Sequence, residues 1–366
     1  MKRRQVIAVT MAVLAAVGLT ACGGSTEGGT QTAVGAPKTE AVKGGEAKSG
    51  EASADGDIEP MELMAGCTYN TTSASYQYCL KFADELEAVS GGKMKINWNP
   101  ASTLGNTTQH YAMLKEGTLD MFSTAFDTAS TLKNSEDFNA LVVPYIFDDQ
   151  AHLEKFMASD LFQSMLDKVE EPNNVKFVGN ICTNWPRELS TSKKPIVEPD
   201  DLKGLKIRTP ESTSVVAVWK AWGANPVSIS TSELYAALEN GMADGQDNNV
   251  VSMYNNSYYE VQDYIMELNY IQQANVIWMS GSTWAKLNDT QKDWISQAVA
   301  AAHEVNTKSA IEEHDVDLKK VQEGGLELVE FNEAAFRAKA EEVARQLEGE
   351  LFREGLYDEI RALIKE

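Results

Sequence analysis

Hydrophobic positions along this chain recur with two different periods. Cys79, Phe82, Leu86 and Val89 fall on one helical face, and Ser90-Gly91-Gly92 stops that helix. Residues 93–98 then alternate, with Met94, Ile96 and Trp98 on one side of a strand. A short helix is expected over 107–115, ended by Gly117, and 119–123 reads as a strand. Residues 175–181 and 205–208 are further short strands. Helices are predicted over 150–171, 212–222, 232–240 and 249–258. A long helical pattern runs over about 290–322 up to Gly324-Gly325. A strand at 326–329 and two more helices follow it. Strand and helix signals alternating at this spacing predict an α/β fold with largely parallel sheets covered by helices. No internal repeat is present.

The first 60 residues follow neither period. Lys2, Arg3 and Arg4 precede an apolar run over 6–19, too short to span a bilayer comfortably. The run ends in Leu19-Thr20-Ala21-Cys22-Gly23-Gly24. Residues 1–22 therefore read as a lipoprotein signal peptide, since Leu-x-Ala-Cys resembles the bacterial lipobox in which the cysteine is lipidated. The bland reading, a plain secretory signal with a free Cys22, is the weaker one. Residues 23–60 are rich in Gly, Ser, Thr, Ala, Glu and Lys and have no aromatic residue. Such a segment buries too little apolar surface to offset its ordering entropy, so it is expected to be a disordered tether. No later stretch approaches 18 uninterrupted apolar residues, and no membrane span is expected in the mature chain.

Charge narrows the partners. With 32 basic and 54 acidic side chains the formal net charge is −22. That excess argues against nucleic acid, where affinity comes mostly from cationic contacts to phosphates. It argues equally against a polybasic grip on anionic lipid. Cys67, Cys79 and Cys182 remain beyond the leader; two of them could pair in an exported protein, and free buried thiols are as good a reading. A zinc site is not expected, because no CxxC is present and His110, His152, His303 and His314 are scattered. No GxSxG, GxxxxGK[ST], GxGxxG or HExxH motif occurs, so neither an enzyme nor a cofactor is expected.

The stretch Asp201-Leu-Lys-Gly-Leu-Lys-Ile-Arg-Thr-Pro210 resembles the signature of the TRAP-transporter solute-binding proteins, the DctP-like family. Gly223-Ala-Asn-Pro226, Ser232-Glu-Leu-Tyr-Ala-Ala-Leu238 and Gly241-Met-Ala-Asp-Gly-Gln-Asp-Asn248 follow in the family's order. Phe82-Ala-Asp-Glu-Leu86, Ser90-Gly-Gly92, Leu114-Lys-Glu-Gly-Thr-Leu-Asp-Met121, and Arg187 ahead of Ser190-Thr-Ser-Lys-Lys-Pro-Ile196 are similar too. The likeness covers about 61–350. It implies a two-lobe periplasmic-binding-protein-like fold of the class II type, with hinge strands and a long helix spanning both lobes. The main part of lobe I is expected at 61–185 and that of lobe II at 186–274. Residues 275–366 would be shared, with the long helix at about 290–322. The implied function is capture of a small organic acid in the interlobe cleft for delivery to an ion-driven TRAP permease.

The resemblance also assigns residues. Arg208, in the apolar strand 205–208 before Thr209-Pro210, matches the arginine that clamps the ligand carboxylate. Its planar fork suits a carboxylate bidentately, whereas a surface salt bridge would be worth roughly 0–1 kcal/mol. Arg187 matches a second, supporting arginine, but Trp185-Pro186 precede it where many members carry glycine two residues before. Trp185 either fills the pocket, stacks on the ligand or belongs to the core. Asn248 falls where the family places an amide on the same carboxylate, although Asn249 replaces the usual proline. Thr231 stands at a pocket position that is aromatic in some members, and Gln246 lies in the same block. Thr72, Ser73, Asn106 and Thr124 are loop candidates from lobe I; each could equally cap a helix or solvate a turn.

The expected partners are thus a small organic acid, permease subunits, and the outer face of the membrane through the lipid anchor alone, with the protein a monomer. A lipoprotein presenting the acid to a membrane sensor is the alternative, and a surface hydrolase of unrecognised site is a third. Because the pocket candidates beyond the arginines are neutral hydrogen-bonding groups, a sugar acid or hydroxy acid is expected rather than a hydrophobic acid or a dicarboxylate.

Overall fold

The computed structural model describes residues 58–363, Glu211 excepted. The leader with Cys22, and the tether up to residue 57, lie outside the described residues.

Eleven strands are described: β1 (Met61–Cys67), β2 (Met94–Asn99), β3 (Met121–Ala125), β4 (Val175–Asn184), β5 (Glu188–Thr191), β6 (Lys206–Thr209), β7 (Asn225–Ser228), β8 (Gly245–Asn248), β9 (Tyr264–Met266), β10 (Gln273–Ser280) and β11 (Glu327–Leu328). They form a five-stranded sheet of order β2-β1-β3-β10-β4 and a six-stranded sheet of order β11-β9-β5-β8-β6-β7. β1 runs parallel to β2 and β3, as β6 does to β7 and β8. The expectation of largely parallel sheets needs correction, because β10 and β5 each run antiparallel to both neighbours. The reason is how those strands are reached. Helical crossovers deliver parallel strands, whereas the chain passes straight from β4 into β5 through Trp185-Pro186-Arg187 and returns from β9 to β10 through residues 267–272.

The helix Asp289–Glu323 lies against both sheets. Asn288 caps it, with Gln291 completing a capping box. Near its start Trp294, Ile295, Ala298 and Ala302 pack on Leu63, Phe82, Leu86 and Ile277 of the first lobe. Near its end Val321 joins Leu234, Val250, Tyr258 and Ile265 of the second. Burying each of these large side chains contributes about 1.5–3 kcal/mol. This is a two-lobe α/β fold with crossing strands and one helix common to both lobes. The single helix expected over 150–171 is two, Gln150–Met157 and Asp160–Asn173, because the Ser159 hydroxyl accepts from Phe162 N and starts a new one. Cys67, Cys79 and Cys182 are free and buried.

One glycine fixes the geometry that follows. A Cβ on Gly245 would lie 2.5 Å from the Ser190 carbonyl oxygen. Close pairing of β8 on β5, which sets Asn248 opposite Glu188, therefore requires glycine there.

Candidate functional site

Open α/β sheets bind ligands beyond the carboxyl ends of their parallel strands. Here those ends face one cavity of about 430 Å³. The loop after β1 supplies Tyr69, Asn70, Thr72 and Ser73, and the turn after β2 supplies Ser102. The opposite wall carries Arg187, Ser230, Thr231 and Asn248. Asn184 and Asn275, from the two strands where the chain crosses, close the back. The helices Ala74–Val89 and Thr231–Glu239 both begin at this cavity, so their positive dipole ends favour an anion in it.

The two arginines differ in their surroundings. Arg187 Nε donates to Asp247 Oδ2 at 2.6 Å and its Nη2 to the Asp247 carbonyl at 2.6 Å. The Tyr270 hydroxyl donates to the same carboxylate oxygen. Burial opposes the Arg187 charge, but the Asp247 carboxylate outweighs it, and its pKa stands above the ordinary arginine value. Arg208 is 4% exposed. Its Nε donates to the Ile229 carbonyl at 2.8 Å and its Nη2 to Thr231 Oγ1 at 3.3 Å. Among the described residues no carboxylate pairs with it. Burial, and then the charge of Arg187, push its pKa below the ordinary value. A buried cation without an anion is costly, and an incoming carboxylate relieves that cost.

The remaining candidates divide. Thr72, Ser73, Thr231 and Asn248 line the cavity with Arg187. Ser73 also serves as a helix cap, accepting from Tyr76 N at 3.3 Å and donating to the Asn70 carbonyl at 2.8 Å. Gln246 is fully buried and lies behind the wall: it donates to Ser190 Oγ at 2.8 Å and accepts from Asn248 Nδ2 at 2.6 Å, orienting Asn248. Thr124 is buried beneath the floor, bonded to Thr128 Oγ1 at 3.1 Å. Asn106 caps the helix Thr107–Glu116 and lines a separate crevice of about 200 Å³ with Asp127, Thr128, Pro210 and Ser212. The Trp185 ring is stacked on His314, centroids 3.8 Å apart, rather than standing in the main cavity.

Sequence reasoning missed Tyr69, whose hydroxyl accepts from Asn275 Nδ2 at 2.7 Å. It also missed Asp127, whose carboxyl is raised in pKa by burial and eased by Arg187. A hydroxyl-bearing aromatic just past a strand's end was the available signal for Tyr69; none marked Asp127. Among the described residues, Glu188, Glu267 and His314 are the His, Cys and carboxylate side chains close enough to share a cation. The ring is instead committed to the carboxylates, its Nε2 2.9 Å from Glu188 Oε1. None of the described helices is long and apolar enough to cross a membrane.

The family model for the bacterial extracellular solute-binding proteins, family 7 (DctP), matches residues 65–353. The sialic acid-binding periplasmic protein SiaP of Vibrio cholerae is 31% identical over 248 residues, 68% of this chain and 76% of its own length. A TRAP periplasmic solute-binding protein of Roseobacter denitrificans, solved with bound L-galactonate, superposes with a TM-score of 0.73 at 27% identity, over 84% of this chain and 100% of that one. One from Sulfurospirillum deleyianum, solved with bound succinate, gives 0.73 at 25% identity over 84% and 100%.

Proposed function

This chain belongs to family 7 of the bacterial extracellular solute-binding proteins, and we propose that its ligand is a hydroxylated monocarboxylate, a sugar acid or hydroxy acid. The protein is an extracytoplasmic receptor of the TRAP-transporter type: it takes up a small organic acid for a membrane permease. In this reading the Arg208 guanidinium clamps the ligand carboxylate, with Arg187 and Asn248 supporting it. Thr72, Thr231 and Tyr69 meet its hydroxyls. Gln246 acts through Asn248, and Ser73 shapes the loop.

The observation that carries the reading is Arg208, a buried cation that does not itself line the cavity but donates to the cavity-lining Thr231 and has no anion of its own among the described residues. Charge counting sharpens it. Arg187 is paired with Asp247, whereas Arg208 has no ion-pair partner among the described residues and is the cation left for a carboxylate. Around that charge the walls offer mostly amides and hydroxyls. Such groups favour a ligand with hydroxyls and are left unpaired around an apolar one. A thermal-shift screen across aldonates, uronates, C4-dicarboxylates and branched 2-oxo acids tests this. Stabilisation by an aldonate or uronate is expected. A response to succinate or a 2-oxo acid, with none to any polyhydroxylated acid, would overturn the ligand class.

The reading extends to the leader, where Cys22 carries the lipid that holds the receptor at the outer face of the membrane. Replacing Cys22 by Ser should release the protein from the membrane fraction, and unchanged anchoring would contradict it.

A further inference from the structure

A buried ionic cluster sits where the chain crosses between its two sheets. β4 leads through Trp185-Pro186-Arg187 into Glu188, the return crossing begins at Glu267, and the long helix carries His314 past both. His314 Nε2 lies 2.9 Å from Glu188 Oε1 and 3.5 Å from Glu267 Oε1, and Nδ1 lies 3.2 Å from Asp315 Oδ1. Glu188 is 0% and His314 2% exposed. Both ring nitrogens face carboxylates, and a neutral imidazole carries a proton on only one of them, so the arrangement fits an imidazolium. Trp185 covers one face of the ring. The charged groups facing the ring are Glu188, Glu267 and Asp315. Nearby on the helix, Glu313 lies within the field of Tyr78 and Cys182, and Asp317 pairs with Lys320 at 2.8 Å.

The cluster touches the site through the backbone. Glu188 follows Arg187 directly and stands opposite Asn248 in the β5–β8 register. Arg187 and Asn248 both line the cavity. Building on the carboxylate reading above, we propose that His314 is a positioning residue for that site: as an imidazolium it draws Glu188 and Glu267 together, and so fixes the strand that carries Arg187 and faces Asn248. Loss of the proton removes the charge that offsets the repulsion between Glu188 and Glu267, even where the neutral ring keeps its Nε2–H toward Glu188, and the tie between the two crossing segments weakens. The lost positive charge also weakens the local field for a bound anion, so both effects reduce affinity in the same direction.

Burial works against the ring's charge, but its hydrogen bond to Glu188 and the surrounding carboxylates outweigh burial, and the His314 pKa is raised from the usual value of 6.5. Burial is the main cause that raises Glu188, and the hydrogen bond and charge of His314 work against it.

The test uses the full protein with L-galactonate as the probe. Wild-type affinity should fall at least about threefold as pH rises from about 6 to about 8.5, the direction that removes the ring's proton. His314→Gln should bind more weakly and show no such step. By reciprocity, galactonate must raise the midpoint of the His314 ring, followed by its imidazole proton resonance, by the same factor. Glu267→Gln, at the half-exposed edge of the cluster, should lower that midpoint and move the affinity step to lower pH. Normal wild-type binding with a ring midpoint that galactonate leaves unmoved would overturn the proposal alone. Absence of binding by the wild type at either pH, for galactonate and every other acid of the screen, would overturn the carboxylate reading and this proposal with it.

Discussion

The two walls of the cleft are built from different chemistry. The first-lobe wall is a loop and a turn, Tyr69, Asn70, Thr72, Ser73 and Ser102, with hydroxyls and an amide and no cation among the described cavity-lining residues. The second-lobe wall carries Arg187 and Asn248, with Arg208 behind Thr231, held by hydrogen bonds to Asp247, Thr231 and Gln246. If the proposed carboxylate reading holds, the two walls divide the labour: the second lobe would supply charge recognition, and the first neutral groups for the rest of the ligand. Within the second wall the two arginines differ again, one balanced by Asp247 and one unbalanced.

That last contrast predicts the largest effect. Arg187→Met strands the buried Asp247 carboxylate and should lower the unfolding free energy of the ligand-free protein by about 3–5 kcal/mol. Arg208→Met removes an unpaired cation along with its two hydrogen bonds, and should cost less than about 1 kcal/mol. Urea unfolding of both variants checks this; equal losses would erase the distinction. For binding the order reverses in kind. Arg208→Ala should weaken the acid by about 2–5 kcal/mol, roughly 30-fold or more, by calorimetric titration. Arg208→Lys should also bind weakly, because the charge remains and the two-pronged geometry is lost.

The first wall should respond less. Tyr69→Phe and Thr72→Ala each remove one neutral hydrogen-bonding group, and each should cost about 0.5–1.5 kcal/mol in affinity. A loss as large as that of Arg208→Ala would mean the first lobe does more than read hydroxyls.

The smallest effect concerns pH. Both His314 and Glu188 are raised in the folded protein, Glu188 to about 7. A raised group contributes stability that is present below its unfolded value and lost as pH rises through the folded one. Both therefore predict a decline, beginning above pH 4.5, the ordinary glutamate value, and extending past neutrality. The melting temperature of wild type minus that of Glu188→Gln should fall across this window. A difference that rises with pH would contradict the assignment.

Much of the fold was legible because its signals are local. The helices Ala74–Val89 and Thr107–Glu116 and the long helix follow from periodic apolar residues and caps. The strands β5, β8 and β9 were not, because they are short and largely buried, so no alternation marks them. In the site, family-like motifs placed Arg187, Arg208, Thr231 and Asn248 near one another. What they could not show is pairing across long separations: Asp247 with Arg187 spans 60 residues, and His314 with Glu188 spans 126. The short loop residues Ser73 and Asn106 looked alike in sequence, yet one borders the main cavity and the other does not.

The claim that matters most is that charge recognition resides in Arg208 of the second lobe. It is tested most directly by titrating wild type, Arg208→Ala and Tyr69→Phe with L-galactonate and with its uncharged carboxamide. The account predicts that wild type and Tyr69→Phe prefer the acid over the amide by at least about 30-fold, a difference of about 2 kcal/mol. In Arg208→Ala that preference should collapse to within about threefold. An acid preference that survives the loss of Arg208, or one that disappears with Tyr69, would contradict it.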